Sequence, residues 1–204
     1  MSTVQGDDLT ERFLRNLVEL CVVHCLNHEI PAAPGRPSTT NFAAIDCFVR
    51  LVACLVQKHG GGPQLLHRVL TVMVGVMLHD AEERAAAFSS RPYFRIMLGL
   101  LSELAPTDAS DVGGFACVMT CAACLHAVQP LRVPGFAFAW LELVSHRALM
   151  PKLLTAPNQR GWPMYHKLLV AALRFLEPYL RSAELSDAVR RTAAISGVHG
   201  CLLT

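Results

Sequence analysis

The sequence predicts an all-α protein, a HEAT- or armadillo-like helical solenoid of about nine or ten helices. Three observations favour this class. Hydrophobic residues make up 52% and charged residues 17% of the 204 residues, so much of the chain must be buried. Apolar residues recur at helical spacing, and no segment is confidently a strand. Most connections are short, so neighbouring helices should be antiparallel. No repeat is visible residue by residue, so the solenoid prediction depends on helix lengths.

Capping residues and helix breakers bound the individual elements. The proposed amino-terminal caps are Asp7 or Asp8, Thr40 or Asn41, and Ser110 or Asp111. Pro92 suits the first turn of another helix, and the Pro-rich segment 31–39 is predicted to be a loop. The predicted helices cover approximately residues 7–30, 40–59, 64–78, 81–88, 92–104, 110–128, 136–146, 148–154, 164–176 and 183–194.

Two predicted helices have distinctive apolar patterns. The first carries Phe13, Leu14 and Val18 on one face at 3.6-residue spacing. The third, over residues 64–78, is apolar nearly all round, which predicts a central, buried helix. A buried strand over Val69–Met77 is the alternative, because β-branched residues are common there, although no neighbouring segment resembles a partner strand.

Composition disfavours several classes of protein. The net charge is +2 without a concentrated basic face, so direct nucleic-acid binding is not indicated. Val112–Leu131 is free of Asp, Glu, Lys and Arg over the ~20 residues that a spanning helix needs. Its Gly, Ala, Thr and Cys content and Pro130 instead favour a buried helix of a soluble domain. Ser2–Glu11 is polar, so no signal peptide is expected, and the eight cysteines are interpreted as reduced core thiols of a cytosolic or nuclear protein.

Possible metal or nucleophile chemistry comes from Cys and His at helical spacing. Cys21, Cys25 and His28 share a face and could ligate Zn²⁺, but the second ligand motif of a structural zinc site is missing. A Cys–His pair could form where Cys117, Cys121 and Cys124 precede His126. Core packing explains both patterns without chemistry.

The sequence also lacks the usual signatures of catalysis. Glu142, Ser145 and His146 are close in sequence, but Ser145 and His146 diverge by about 100° on a helix, and no G-x-S-x-G elbow is present. Phosphate-binding and zinc-protease motifs are missing as well. We therefore predict a protein that is not an enzyme, has no cofactor and binds other proteins.

The two tryptophans are the most informative residues for such a function. Trp140 follows Pro134-Gly135-Phe136, and Trp162 stands between Gly161 and Pro163. Aromatic residues at helix starts commonly anchor a loop on the core. Aromatic and Arg residues are also enriched in the hot spots of protein interfaces. Both interpretations suit a scaffold.

Several longer segments together resemble one known family. They are collinear over roughly residues 7–191 and occur at 7–13, 45–51, 74–80, 91–96, 134–147 and 159–165. The segment Pro134–Arg147 is similar to the most recognisable part of the large Not-family scaffold subunit of the Ccr-Not deadenylase complex. The segment Gln159–Tyr165 resembles the block that follows it.

The resemblance implies the carboxy-terminal, HEAT-like domain of that scaffold, which has no catalytic activity. It implies docking of the other Not-type subunits within a complex that shortens poly(A) tails and represses translation in the cytoplasm, including P-bodies, and in the nucleus. The resemblance ends near Thr192, which predicts a partial Not-type domain over residues 1–192, truncated at its carboxy terminus, and a divergent tail over 193–204. Five residues at loops around the strongest motifs are the predicted partner contacts: Arg147, Lys152, Arg160, Trp162 and Tyr165.

Overall fold

The computed structural model describes residues 2–30, 39–58, 62–106 and 111–181, and over these ranges the protein is built almost wholly from helices. The all-α class predicted from the sequence is confirmed. The described residues form eight α-helices: α1 (Ser2–Asn27), α2 (Ala43–Lys58), α3 (Gly62–Arg84), α4 (Arg91–Leu104), α5 (Val112–Ala127), α6 (Ala137–Ser145), α7 (Met150–Leu154) and α8 (Trp162–Arg181). Three short 3₁₀ helices accompany them at Ala85–Ala87, Pro134–Phe136 and Pro157–Gln159.

One small β element departs from the sequence expectation. Glu29–Ile30 (β1) and Thr39–Thr40 (β2) pair antiparallel, with Glu29 opposite Thr40. Asn41, one of the two predicted caps, accepts a hydrogen bond from the Ala43 backbone N–H at 2.9 Å and so starts α2. Residues 31–38 of the predicted loop 31–39 and the predicted helix 183–194 lie outside the described residues, whereas Thr39 belongs to β2 and not to a loop.

The chain divides into two compact units, residues 1–104 and 105–204. In the first unit α1 packs mainly on α3, and α2 packs mainly on α4. This pairing of alternate helices is the stacking expected of helical repeats. Gly99 permits the close approach of α4 to α2, because a β-carbon there would lie 2.9 Å from Val49 Cγ1. In the second unit α5 contacts α6, α7 and α8, and α7 contacts α8.

Polar side chains reinforce the helix contacts of the first unit. Arg95 of α4 donates two hydrogen bonds, at 2.7 and 2.9 Å, to the carboxylate of Asp46 in α2. The buried Tyr93 donates its hydroxyl to Asp80 of α3 at 3.1 Å. Burial and the neighbouring Asp80 carboxylate raise the pKa of Tyr93 well above its usual range. The Tyr93 hydroxyl is therefore a neutral donor within the core.

The structure of residues 64–88 differs from two of the sequence predictions. These residues form the single helix α3 followed by a short 3₁₀ helix, where the sequence suggested two helices with a break near Asp80. Asp80 pairs with Arg84, and His79 lies 3.4 Å from Glu83, so pairs one turn apart carry the helix through the expected break. The alternative strand over Val69–Met77 is wrong, since the segment is helical and its side chains largely fill the core.

The ends of α1 and α8 also differ from the prediction. The helix α1 already begins at Ser2, so Asp7 and Asp8 lie inside it and not at its amino-terminal cap. The helix α8 continues past Pro178 to Arg181, and the Glu177–Arg181 ion pair at 2.6 Å spans the proline. Phe13 is 62% exposed, in contrast to the predicted buried face, whereas Leu14 and Val18 are buried.

Candidate partner-binding surface

The start of α5 and the α7–α8 connection form a small cleft within the second unit. Asp111 caps α5 by accepting a hydrogen bond from Gly114 N–H at 2.8 Å. Lys152 donates its ammonium group to the Pro106 carbonyl at 2.7 Å. The Arg160 guanidinium lies 5.2 Å from the centre of the Phe115 ring, a cation–π distance. The structure thus brings together two of the predicted contact residues, Lys152 and Arg160.

The cleft encloses about 90 Å³ and is lined by Pro106, Asp111, Val112, Phe115, Lys152, Thr155, Ala156, Pro157 and Arg160. Sites for small molecules typically measure roughly 300–1,000 Å³. The cleft is therefore smaller than most small-molecule sites.

Trp162 and Tyr165 present an aromatic surface on the first turn of α8. Trp162 is 46% exposed, and its ring centre lies 6.5 Å from that of Tyr165 and 6.0 Å from that of His166. Tyr165 is half-buried, and this burial raises the pKa of its hydroxyl. A partly exposed Trp beside a Tyr is typical of the aromatic anchors in protein interfaces.

The turn before α8 sets the direction of Trp162. Asn158 and Gln159 both have a φ of 55°, a left-handed conformation that bends the chain sharply. Gly161 follows and is buried, because its α-carbon packs directly against the backbone of Leu153. The local Gly-Trp-Pro sequence therefore fixes the start of α8 and leaves the Trp162 side chain partly in solvent.

Arg147, the fifth predicted contact, is exposed immediately after α6 and is not among the residues that line the cleft. Burial lowers the pKa of the neighbouring His146, and the positive charge of Arg147 lowers it further. We call Arg147, Lys152, Arg160, Trp162 and Tyr165 the candidate surface. Phe115 lies beside the candidate surface because its ring contacts Arg160. The apolar pattern of α5 in the sequence does not predict this contact.

A wider depression in the same unit was not predicted from the sequence. It encloses about 390 Å³ between the end of α5 and α8, and we call it the basic groove. Its lining residues are His126, Gln129, His166, Lys167, Val170, Ala171 and Arg174. The sequence does contain a pattern that indicates this groove. Residues on one face of α8 recur every fourth position, at Trp162, His166, Val170 and Arg174.

The two tryptophans have different roles in the structure. Trp140 is fully buried, and its indole N–H donates to the Leu125 carbonyl at 2.6 Å. Leu125 lies in the last turn of α5, where carbonyls lack helical partners, so the bond satisfies one of them. Trp140 therefore anchors the core, whereas Trp162 is partly exposed to solvent.

The cysteine faces are packed as thiols. Cys21, Cys25, Cys117, Cys121 and Cys124 are buried, and His28 of the possible zinc set is exposed. The described ranges contain no group of three or more Cys, His, Asp or Glu side chains that could hold a metal ion. Burial raises the pKa of the Cys124 thiol to about 12, and burial with the neighbouring thiols raises that of Cys121. High pKa values disfavour the thiolate that a nucleophile needs.

These raised pKa values predict a loss of stability at alkaline pH. Unfolded thiols ionise above about pH 8.5 while the folded Cys124 stays protonated, so the unfolded state loses protons first. The free energy of unfolding should therefore fall between pH 8 and pH 10, with about 1–2 kcal/mol of the loss from Cys124. Urea unfolding in reducing buffer measures this, and Cys124→Ala should show a correspondingly smaller fall. An equal fall in both proteins would contradict the prediction.

The Ser–His–Glu arrangement at the end of α6 is not a catalytic triad. The Ser145 hydroxyl donates to the Leu141 carbonyl at 2.8 Å. His146 Nδ1 accepts a hydrogen bond from the Ala148 backbone N–H at 3.2 Å. Both groups are engaged by the backbone, as is common where a helix ends.

Fold and surface together define the class as an all-α, repeat-type helical domain with a partly exposed aromatic and basic surface. None of the helices in the described ranges has the length and apolar character that crossing a membrane requires. Residues 101–196 match the family model described as "CCR4-Not complex component, Not1". The family resemblance stated from the sequence is thereby confirmed.

Curated relatives extend the similarity to most of the chain. The CCR4-NOT transcription complex subunit let-711 of Caenorhabditis elegans is 31% identical over 205 residues, which is 90% of this chain and 8% of that protein. The general negative regulator of transcription subunit 1 of Saccharomyces cerevisiae is 33% identical over 214 residues, 90% of this chain and 10% of that protein. The chain therefore spans about a tenth of the length of these relatives.

Solved structures show the same fold. The NOT1 superfamily homology domain from Chaetomium thermophilum matches with a TM-score of 0.78 and 25% identity, over 92% of this chain and 37% of that one. A Not1 C-terminal domain solved in complex with Not4 matches with a TM-score of 0.70 and 27% identity, over 93% of this chain and 38% of that one. The helical fold is thus shared with a NOT1 superfamily homology domain and with a Not1 C-terminal domain.

Proposed function

We propose that the chain is a non-catalytic scaffold module of the CCR4-NOT complex that docks other Not-type subunits. The observation that carries the proposal is its similarity to a Not1 C-terminal domain solved in complex with Not4. The proposed role supports poly(A)-tail shortening, mRNA decay and translational repression in the cytoplasm, including P-bodies, and in the nucleus. The Not-type domain is proposed to span residues 1–192, with the divergent tail over 193–204.

The candidate surface supports this proposal physically. Trp162 offers a large, rigid apolar area, and Arg160 and Lys152 add positive charge beside a small cleft. Hot spots of protein interfaces are enriched in Trp, Tyr and Arg. A generic HEAT-type adaptor with another partner is the alternative, and only binding experiments with Not-type subunits separate the two.

Co-precipitation of the tagged chain with Not4 and the other Not-type subunits tests the proposal. We expect the chain to retain at least one of these subunits, and Trp162→Ala with Arg160→Glu to lose it. Phe138→Ala is the matched control, because Phe138 is 50% exposed but lies on α6, outside the candidate surface. A folded chain that retains none of the Not-type subunits would refute the proposal.

A further inference from the structure

We propose that the basic groove binds an acidic segment of a partner protein, with one apolar side chain of that segment resting on Val170 and Ala171. The inference rests on the proposed function and adds the chemistry of the bound segment and the place where it lies. The residues that line the groove lie outside the candidate surface, and only Trp162, in the same row along α8, is shared with it.

The charges of the groove indicate an acidic ligand. Lys167 and Arg174 supply two permanent positive charges, His126 and His166 add two more when protonated, and the lining contains no Asp or Glu. Within the described residues, no carboxylate forms an ion pair with Lys167 or Arg174. Groups of one sign in a concave site attract and orient a ligand of the opposite sign.

The floor of the groove indicates a peptide with an apolar side chain. Ala171 is buried and Val170 half-buried, so apolar surface lies between the two cationic side chains. Lys167 and Arg174 are seven residues apart on α8, which places them about 10 Å apart along the helix axis. An extended peptide covers that distance in about three residues. Acidic side chains on either side of one apolar side chain therefore fit the groove.

The row that begins at Trp162 sets the length of the segment. Trp162 packs against His166, and the row continues through Val170 to Arg174. Its twelve-residue span measures about 18 Å, the length of roughly six extended residues. A short linear segment of a protein thus matches the site in size.

A nucleic acid fits these features less well. Nucleic-acid sites usually combine a broad basic face with several phosphate contacts. Here two permanent cations flank an apolar floor, and the net charge of the chain is only +2. The peptide is therefore the ligand that we propose, and an oligonucleotide serves as its competitor in the test.

Fluorescence anisotropy with the full chain tests the proposal. The probe is a labelled peptide of about ten residues, rich in Asp and Glu around one central Leu. Asn and Gln replace its acidic residues in one control peptide, and Ser replaces its Leu in another. We expect the acidic Leu peptide to bind, both control peptides to bind more weakly, and Lys167→Glu with Arg174→Glu to weaken binding at least tenfold. Arg50→Glu, an exposed position of α2 in the first unit, should leave binding unchanged.

Several results would overturn the proposal. They are no binding by a folded chain, equal losses from Arg50→Glu, displacement of the peptide by a short oligoadenylate, or binding only after removal of residues 182–204. The proposed function is tested separately with Not4. If Not4 binds unchanged to the groove variants, the groove proposal fails while the scaffold proposal stands. If the chain binds the peptide but retains no Not-type subunit, the scaffold proposal fails while the groove proposal stands.

Discussion

Replacing Trp140 with alanine is expected to lower the free energy of unfolding by about 3–5 kcal/mol, as large-to-small changes of buried aromatic residues do. Trp140 is completely buried, so its removal leaves a large cavity in the second unit. The Leu125 carbonyl also loses the indole donor at 2.6 Å. Urea unfolding followed by circular dichroism measures the loss.

Two further variants test this assignment, one at Trp140 and one at Trp162. Trp140→Phe retains most of the apolar packing but leaves the Leu125 carbonyl without its donor, which costs about 1–3 kcal/mol. Trp162→Ala removes a side chain that is 46% exposed and should change stability by less than about 1 kcal/mol. Equal destabilisation by Trp140→Ala and Trp162→Ala would show that the assigned roles of the two tryptophans are wrong.

The second large effect is expected at Gly161. A β-carbon there would lie 2.6 Å from the Leu153 α-carbon and 2.7 Å from its carbonyl carbon, and would also meet its carbonyl oxygen. These are backbone atoms and cannot rotate away, so Gly161→Ala must displace α7 or the start of α8. We expect a destabilisation of about 3 kcal/mol, the upper end of the usual cost of overpacking. A thermal melt of the variant measures it.

Gly75→Ala is the matched control for this substitution. Gly75 lies inside α3 and a β-carbon there meets nothing within 4 Å. Alanine should therefore stabilise the helix by about 0.5–1 kcal/mol, because it loses less backbone entropy than glycine. If both variants melt at the wild-type temperature, the close packing of Gly161 on Leu153 is not present in solution.

Local signals in the sequence were sufficient for much of the fold. The stripe of α2, Pro92 at the start of α4 and the Asp111 cap of α5 lie where periodicity and capping chemistry placed them. These features depend on neighbouring residues alone. The continuity of α3 differs from the prediction because the pairs formed by Asp80 with Arg84 and by His79 with Glu83 bridge the expected break.

The candidate surface was only partly predictable. The Gly-Trp-Pro motif pointed to Trp162, but its exposure depends on the left-handed turn at Asn158 and Gln159 and on the packing of Gly161. Trp140 has a similar local sequence and is buried, because α5 offers it a carbonyl 15 residues away along the chain. The basic groove lies between α5 and α8. Which helices pack together depends on tertiary contacts, and local sequence patterns do not reveal them.

The central claim, that this helical chain docks a Not-type subunit, is tested most directly by isothermal titration of the folded chain with Not4. We expect saturable binding with a dissociation constant of about 1 μM or lower, corresponding to a binding free energy of about −8 kcal/mol. Trp162→Ala should weaken this binding at least tenfold, and Phe138→Ala should leave it unchanged. Absence of binding by a cooperatively folded sample, or equal loss from both variants, would contradict the account.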